Sequence, residues 1–297
     1  MLEYLDVGLI AQASVNGILL GTMYGTAAIG LSLVFGTMGI VFIAQGSVII
    51  FFAYLCYWLF ALLGIDPYLS IIPIVLIALL LGVAFYYGLF KEAAALKDRI
   101  SSLLIAVGLM FFLENFMTVV WTPNPRAVVT SYGFYTFSLF GINLTLTRLI
   151  GLLIAILATL GVFIFLKKTL IGTAVRAISE DVEASTMMGI NPNRVNIVAF
   201  AIGIGLAAIA GINFATTYSF DPNYGFDVAI KALIALTLGG IGNVGGALLG
   251  GIIIGVIESL ASFYVGMGWA QGILFVIFML TLTLRPYGLF GGISQKV

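Results

Sequence analysis

Apolar residues run along this chain in long blocks separated by short polar interruptions. The blocks fall at 17–37, 42–63, 71–90, 100–121, 148–166, 195–217, 246–265 and 269–284. An α-helix rises 1.5 Å per residue and the hydrocarbon layer of a bilayer is about 30 Å thick, so each block can cross it. A ninth apolar segment, 228–240, covers only about 20 Å at that rise. It is either a half-helix or a crossing completed by irregular backbone. The pattern predicts an all-α integral membrane protein, a polytopic helical bundle with about eight full transmembrane helices plus one short or broken segment. It forms a single transmembrane domain over 1–297.

Two interruptions are long. In 172–194, Val175, Ile178 and Val182 recur at helical spacing, with Arg176, Glu180 and Glu183 elsewhere around the wheel. Gly189 suits a helix stop, Asn191 caps the next helix and Pro192 opens it. A short amphipathic helix is thus expected over 172–189, too polar to cross. It either rests on lipid headgroups or docks into a soluble partner. The second interruption, 122–147, carries Pro123, Pro125 and an alternation of polar and aromatic residues over 131–138 that reads as strand-like. It is either an irregular lid over one mouth of the bundle or a docking surface for an external partner.

Charge orients the bundle. Lys91, Lys97 and Arg99 share one interruption, Lys167, Lys168, Arg176 and Arg194 another, and Arg285 and Lys296 the C-terminal tail. The alternate interruptions hold only Arg126 and Arg148, and residues 1–14 hold Glu3 and Asp6 with no basic residue. The positive-inside rule puts the N-terminus outside and the C-terminus in the cytoplasm, which needs an odd number of crossings. Nine crossings fit if 228–240 passes with help from its neighbours. The N-terminus has no basic n-region, so no cleaved signal peptide is expected.

Composition removes most chemistry. The chain of 297 residues is 62% apolar and 8% charged, with one cysteine, no histidine and a formal net charge of zero. Without histidine there is no Ser-His-Asp triad and no His-ligated metal. Cys56 alone supports neither an intrachain disulfide nor a cysteine-rich metal site. No basic face suggests nucleic acid. Neither a metal site nor a catalytic residue nor a cofactor is expected.

The 36 glycines are placed in patterns. Gly17, Gly21 and Gly25 repeat every four residues, as do Gly242, Gly246 and Gly250, and Gly251 pairs with Gly255. Such spacing lets another helix backbone approach. Two further clusters, Gly36 to Gly46 and Gly239 to Gly246, interrupt apolar stretches. Irregular backbone at membrane depth is tolerated where protein buries it or where it lines a water-filled path. Each cluster is either a plain turn or a pathway-lining break, with Gly36, Phe42, Gln45, Gly46, Gly239, Gly240 and Asn243 as the candidate path residues. Polar groups inside the spans are few: Asn16, Gln45, Glu114, Asn115, Asn213, Lys231, Glu258 and Gln271. Glu114 and Glu258 either satisfy neighbouring helices or form a proton relay. Lys231 is expected near a helix end, snorkelling outward.

The 172–194 segment resembles the coupling loop of the permeases of prokaryotic ATP-binding cassette importers, in the branched-chain amino acid family. Arg176-Ala177, Asp181, Ala184 and Gly189-Ile190-Asn191 match that family's Arg-Ala, acidic or amide, Ala and Gly-Ile-Asn positions. The likeness continues through Ala199-Phe200, Ala208, Ala210-Gly211, Pro222, Gly225, and Leu238 to Ala247, and ends at Gly251 to Glu258. The first half departs from the pattern: where the family has Asn and His, this chain has Phe42 and Gln45. The resemblance implies a multi-pass subunit of the prokaryotic inner membrane, working with cytoplasmic ATPase subunits, a second permease subunit and an extracytoplasmic solute-binding protein. Its coupling loop would span 167–194, with Arg176, Ala177, Glu180, Asp181, Glu183, Ala184 and Gly189 at the ATPase interface. ATP would be used by those partners. The chain has no Gly-Lys dipeptide and so no Walker A loop of its own. The implied cargo is branched-chain or related amino acids, with urea, short amides or other amino acids as the alternative. A proton-coupled secondary transporter using Glu114 or Glu258 is the alternative of another class.

Overall fold

The computed structural model describes residues 7–96, 99–139, 141–240, 242–285 and 288–290. Glu3, Asp6, Lys97 and Lys296, which helped to orient the sequence, lie outside them. Twelve α-helices appear among the described residues. They are α1 (Val7–Met38), α2 (Gln45–Leu63), α3 (Ile71–Phe85), α4 (Lys91–Leu96), α5 (Arg99–Trp121), α6 (Leu146–Lys168), α7 (Leu170–Glu180), α8 (Val182–Met187), α9 (Pro192–Thr217), α10 (Gly225–Gly239), α11 (Val244–Val265) and α12 (Met267–Leu284). A π-helical turn, Tyr86–Phe90, joins α3 to α4. Among the described residues, eight helical stretches are long and apolar enough to cross a membrane, and the shorter α10 runs alongside them. The protein is a multi-pass membrane protein.

Contacts define two ends. At one end Gln12 of α1 donates from Nε2 to the Asn143 carbonyl, and Ser259 of α11 donates to the Ala13 carbonyl. At the other, the Leu289 amide donates to the Leu238 carbonyl and Tyr86 hydrogen-bonds Asn193. The first end carries a β-hairpin, β1 (Thr136–Leu139) with β2 (Ile142–Thr145). The second carries α7 and α8. The start of α1 and residues 288–290, just beyond α12, therefore lie at opposite ends. The alternation expected over 131–138 is strand only in its second half, because Ser131–Phe134 closes into a 3₁₀ turn. The 122–147 connection thus keeps an irregular stretch over 122–130 and then folds into the 3₁₀ turn and the hairpin.

The core is built on α1 and α9, which are buried over most of their most apolar stretches, whereas α12 is almost wholly peripheral. Small residues set the closest approach. A Cβ on Gly251 or Gly255 would overlap the backbone of Gly25 or Gly21, and one on Gly17 would fall 2.5 Å from Val256 Cα. The glycine stripes are therefore packing faces, in line with the gain from dispersion contacts when backbones meet. Gly246 and Gly250 meet Gly239 and Ala235 of α10 in the same way. Gly242 departs from that stripe: it stands in the turn before α11, with φ +80°.

Candidate functional site

The two glycine clusters behave differently. Residues 39–44 turn back into the bundle, with Ile40, Phe42 and Ala44 almost fully buried. The Gln45 amide then donates 3.3 Å to the carbonyl of Gly203, eleven residues beyond Pro192 and roughly 16 Å along α9. This break is internal backbone, not a turn at the edge. Phe42, where an Asn was expected from the family pattern, has its ring among those of Phe90 and Phe200, at centroid distances of 5.5 and 5.1 Å. Gln45 keeps one bond, and its Oε1 is buried without a partner. Gly46 packs so closely on the first turn of α10 that a Cβ there would overlap the Gly225 carbonyl. The second cluster is a turn at the α7 end. Gly240 adopts φ +90°, Asn243 caps α11 by accepting from the Gly246 amide, and its own amide donates to the Phe290 carbonyl.

One point joins both clusters to the amphipathic segment. A Cβ on Gly36 would lie 3.1 Å from Ser179 Oγ and 3.8 Å from Gly242 Cα. The end of α1, the turn before α11 and the side of α7 thus meet. Ser179 carries no motif signal, and only its spacing one residue after Ile178 on the inward face of α7 would have suggested it.

The segment itself is two helices, not the single helix expected over 172–189. Asp181 sits between them with extended backbone, φ −154°, and its Oδ1 accepts from the amides of Glu183 and Ala184. A carboxylate there satisfies donors that a helix start leaves open and opposes the positive end of the helix dipole. Upstream, Thr169 caps α7 by accepting from the Gly172 amide. Gly172 folds α7 onto the end of α6, where a Cβ would overlap the Phe165 carbonyl. Gly172, Val175 and Ile178 face the bundle. Arg176, Glu180, Asp181, Glu183, Ala184 and Gly189 face outward, and Ala177 is half-buried. The outward face also shows Met187, Met188 and Leu170, which are 87%, 84% and 91% exposed. Sequence reasoning missed these three, since apolar side chains in a greasy chain attract no notice. Gly189 ends the segment at φ +85° and Asn191 caps α9. The result is a two-part projection, α7 followed by α8, that exposes apolar and charged side chains side by side.

Two carboxylates inside the bundle have separate partners. Glu114 Oε1 accepts from Ser47 Oγ at 3.0 Å. Glu258 Oε1 pairs with Lys231 Nζ at 2.6 Å. Lys231 is 7% exposed and does not snorkel outward, a correction to the sequence expectation. No group of three or more metal-ligating side chains occurs among the described residues.

At the hairpin end, Tyr132 donates to Asp66 Oδ2 at 2.6 Å and Tyr68 donates to the Thr147 carbonyl. Burial, with the Asp66 carboxylate adding to it, pushes the Tyr68 phenol up to about 12, so it stays protonated as a donor. Between the 122–147 connection, α6 and the end of α9 lies a cavity of about 240 Å³.

Residues 13–282 match the family described as branched-chain amino acid transport system / permease component. A high-affinity branched-chain amino acid transport system permease protein, BraD of Pseudomonas aeruginosa, is 30% identical over 296 residues, covering 94% of this chain and 95% of the relative. LivH of Escherichia coli, which bears the same description, is 30% identical over 293 residues with the same coverage. A probable LivH of Methanocaldococcus jannaschii is 29% identical over 279 residues, or 89% of this chain and 87% of the relative. No solved structure matches the chain.

Proposed function

Since the chain belongs to the branched-chain amino acid transport permease family, we propose that it is the membrane-spanning subunit of an ATP-binding cassette importer for branched-chain amino acids. The observation that carries the mechanism is the meeting of Gly36, Ser179 and Gly242. The α7–α8 projection would sit in a groove of a cytoplasmic ATPase, with Arg176, Glu180, Asp181 and Glu183 in polar contact and Met187 and Met188 as apolar anchors. Closure of the ATPases would push α7. Ser179 would pass that displacement to α1 and to the turn before α11. Because glycine faces let α1 and α11 pack backbone to backbone, the pair would move as one body against its neighbours, the kind of discrete rearrangement that interfaces support. The hairpin end would then face outside, where a solute-binding protein delivers cargo, and a second permease subunit would complete the path. The internal break at 39–44, with Phe42, Gln45 and Gly46, and the turn with Gly239, Gly240 and Asn243 would border that path in the prokaryotic inner membrane.

The test is reconstitution of the chain with its partner subunits in proteoliposomes. ATP-dependent leucine uptake is expected. Replacing both Met187 and Met188 with Asp should abolish capture of the ATPase subunits on co-purification. Uptake that needs no ATPase, or undiminished capture by the double variant, would reject the reading.

A further inference from the structure

A cavity of about 240 Å³ lies at the hairpin end. Its lining includes no acidic residue and one cation, Arg148. Arg148 stands in the first turn of α6, where the helix dipole is already positive. Thr145, at the N-cap, makes no side-chain cap bond. A cation at an uncapped helix start opposes folding stability, so its placement asks for an anion. The structure supplies none: among the described residues no carboxylate pairs with Arg148. Its Nη1 donates 2.8 Å to Asn16 Oδ1, a neutral acceptor that fixes the guanidinium without neutralising it. The cation also lies 6.0 Å from the centre of the Tyr218 ring. Thr130, 3% exposed and lining the same space, has a buried Oγ1 with no hydrogen-bond partner. The rest of the wall is mixed: Val128, Val129 and Phe134 supply apolar surface beside the hydroxyls of Thr145, Thr147, Thr216, Thr217 and Ser219. The volume falls just below the roughly 300–1,000 Å³ of pockets for drug-sized ligands, as a smaller solute requires.

Arg148, Thr217 and Tyr218 also wall a second, water-sized space of about 20 Å³ deeper in the bundle. Asn213 lines that space, and its Oδ1 is buried without a partner. The three shared residues form the partition between the larger chamber and the smaller one.

Resting on the reading of this chain as an importer of branched-chain amino acids, we propose that the hairpin-end cavity is a substrate site, in which Arg148 holds the carboxylate of an aliphatic amino acid. A guanidinium binds a carboxylate by two parallel charge-assisted hydrogen bonds, which makes it selective for that group. The aliphatic tail would lie on Val128, Val129 and Phe134. Movement of the Arg148–Tyr218 partition would then admit the ammonium group to Asn213 Oδ1.

The experiment uses the assembled transporter in nanodiscs without its binding protein. Cys56 is the sole cysteine and is buried. A reporter thiol at the exposed cavity wall, Ser219→Cys, can therefore be followed alone by its alkylation rate. L-Leucine and isovalerate, which both carry the carboxylate, should slow alkylation. Leucinamide, which keeps the tail and amine and lacks the carboxylate, should not. Adding Arg148→Gln should raise the concentration needed for protection by about tenfold or more, the scale of a charged hydrogen bond. Arg148→Lys should retain part of it. Equal protection by leucinamide, no protection by leucine and isovalerate, or full protection in the Arg148→Gln form would each overturn the proposal. If Arg148→Gln does not assemble, the three ligands on the Arg148 form still decide the matter. Uptake of leucine by the complete transporter is measured in parallel. Its absence would reject the importer reading, while isovalerate protection reads the Arg148 site independently.

Discussion

Lys231 Nζ lies 2.6 Å from Glu258 Oε1, joining α10 to α11 inside the bundle, and also donates 3.2 Å to the Tyr24 hydroxyl on α1. Three helices are thus tied at one buried charge pair. Such a pair gains little over an apolar replacement, but removing one partner leaves a bare charge, at a cost of about 3–5 kcal/mol. Lys231→Met and Glu258→Leu are each expected to lower the melting temperature of the purified transporter by several degrees. The double variant should melt above both single variants. If the double variant loses the sum of the two, the pair carries no coupling.

Close approach of α1 to α11 rests on absent side chains. Gly251→Val would drive a branched side chain into the backbone of Gly25, which a helix cannot yield locally. It should abolish accumulation of folded protein in membranes. Gly161, in α6, has nothing within 4 Å of an added Cβ. Gly161→Ala should accumulate normally, and slightly better, since Ala is favoured over Gly in a helix interior by about 1 kcal/mol. Equal accumulation of both variants, measured by size-exclusion of the detergent-solubilised chain, would reject glycine packing as the determinant.

What is legible in the sequence follows from which physical constraint acts locally. The eight long spans are readable because lipid demands unbroken apolar helix, and α10 is readable as short for the same reason. The glycine stripes are readable because packing faces repeat every four residues. Lys231 is misjudged because hydropathy places a charge only along the chain. Its partner Glu258 stands 27 positions away, and only the antiparallel α10–α11 pair brings them together. The break in the projection is hidden because Asp181 fits a helical wheel as well as it fits a cap. Arg148 gives no sign of a site, since its cavity forms from α6, the end of α9 and the stretch over 127–134 together.

Asp181 tests the division between α7 and α8. Its carboxylate accepts from two amides, at 2.8 and 3.0 Å. Asp181→Ala should cost about 1 kcal/mol of local stability, the usual loss of an N-cap. Asp181→Asn retains an acceptor and should cost less. Hydrogen exchange of the 182–187 amides reads this directly. Faster exchange is expected in the Ala form, with the Asn form between it and the parent. Identical exchange in all three would show that the cap does not hold α8.

Gly189 tests the link between projection and bundle. Its φ of +85° is a conformation that β-branched residues resist, and no neighbour lies within 4 Å of an added Cβ. Any effect of substitution therefore comes from the backbone and not from a clash. Gly189→Asn, which tolerates the left-handed region, should leave transport near that of the parent. Gly189→Val should redirect the chain between Met188 and Asn191 and so tilt the projection against α9. ATP hydrolysis by the reconstituted transporter should then continue while leucine uptake falls severalfold. Leucine transported per ATP hydrolysed, compared for Val and Asn forms in the same vesicles, separates loss of coupling from loss of protein. Full uptake by the Val form would remove this segment from the coupling mechanism.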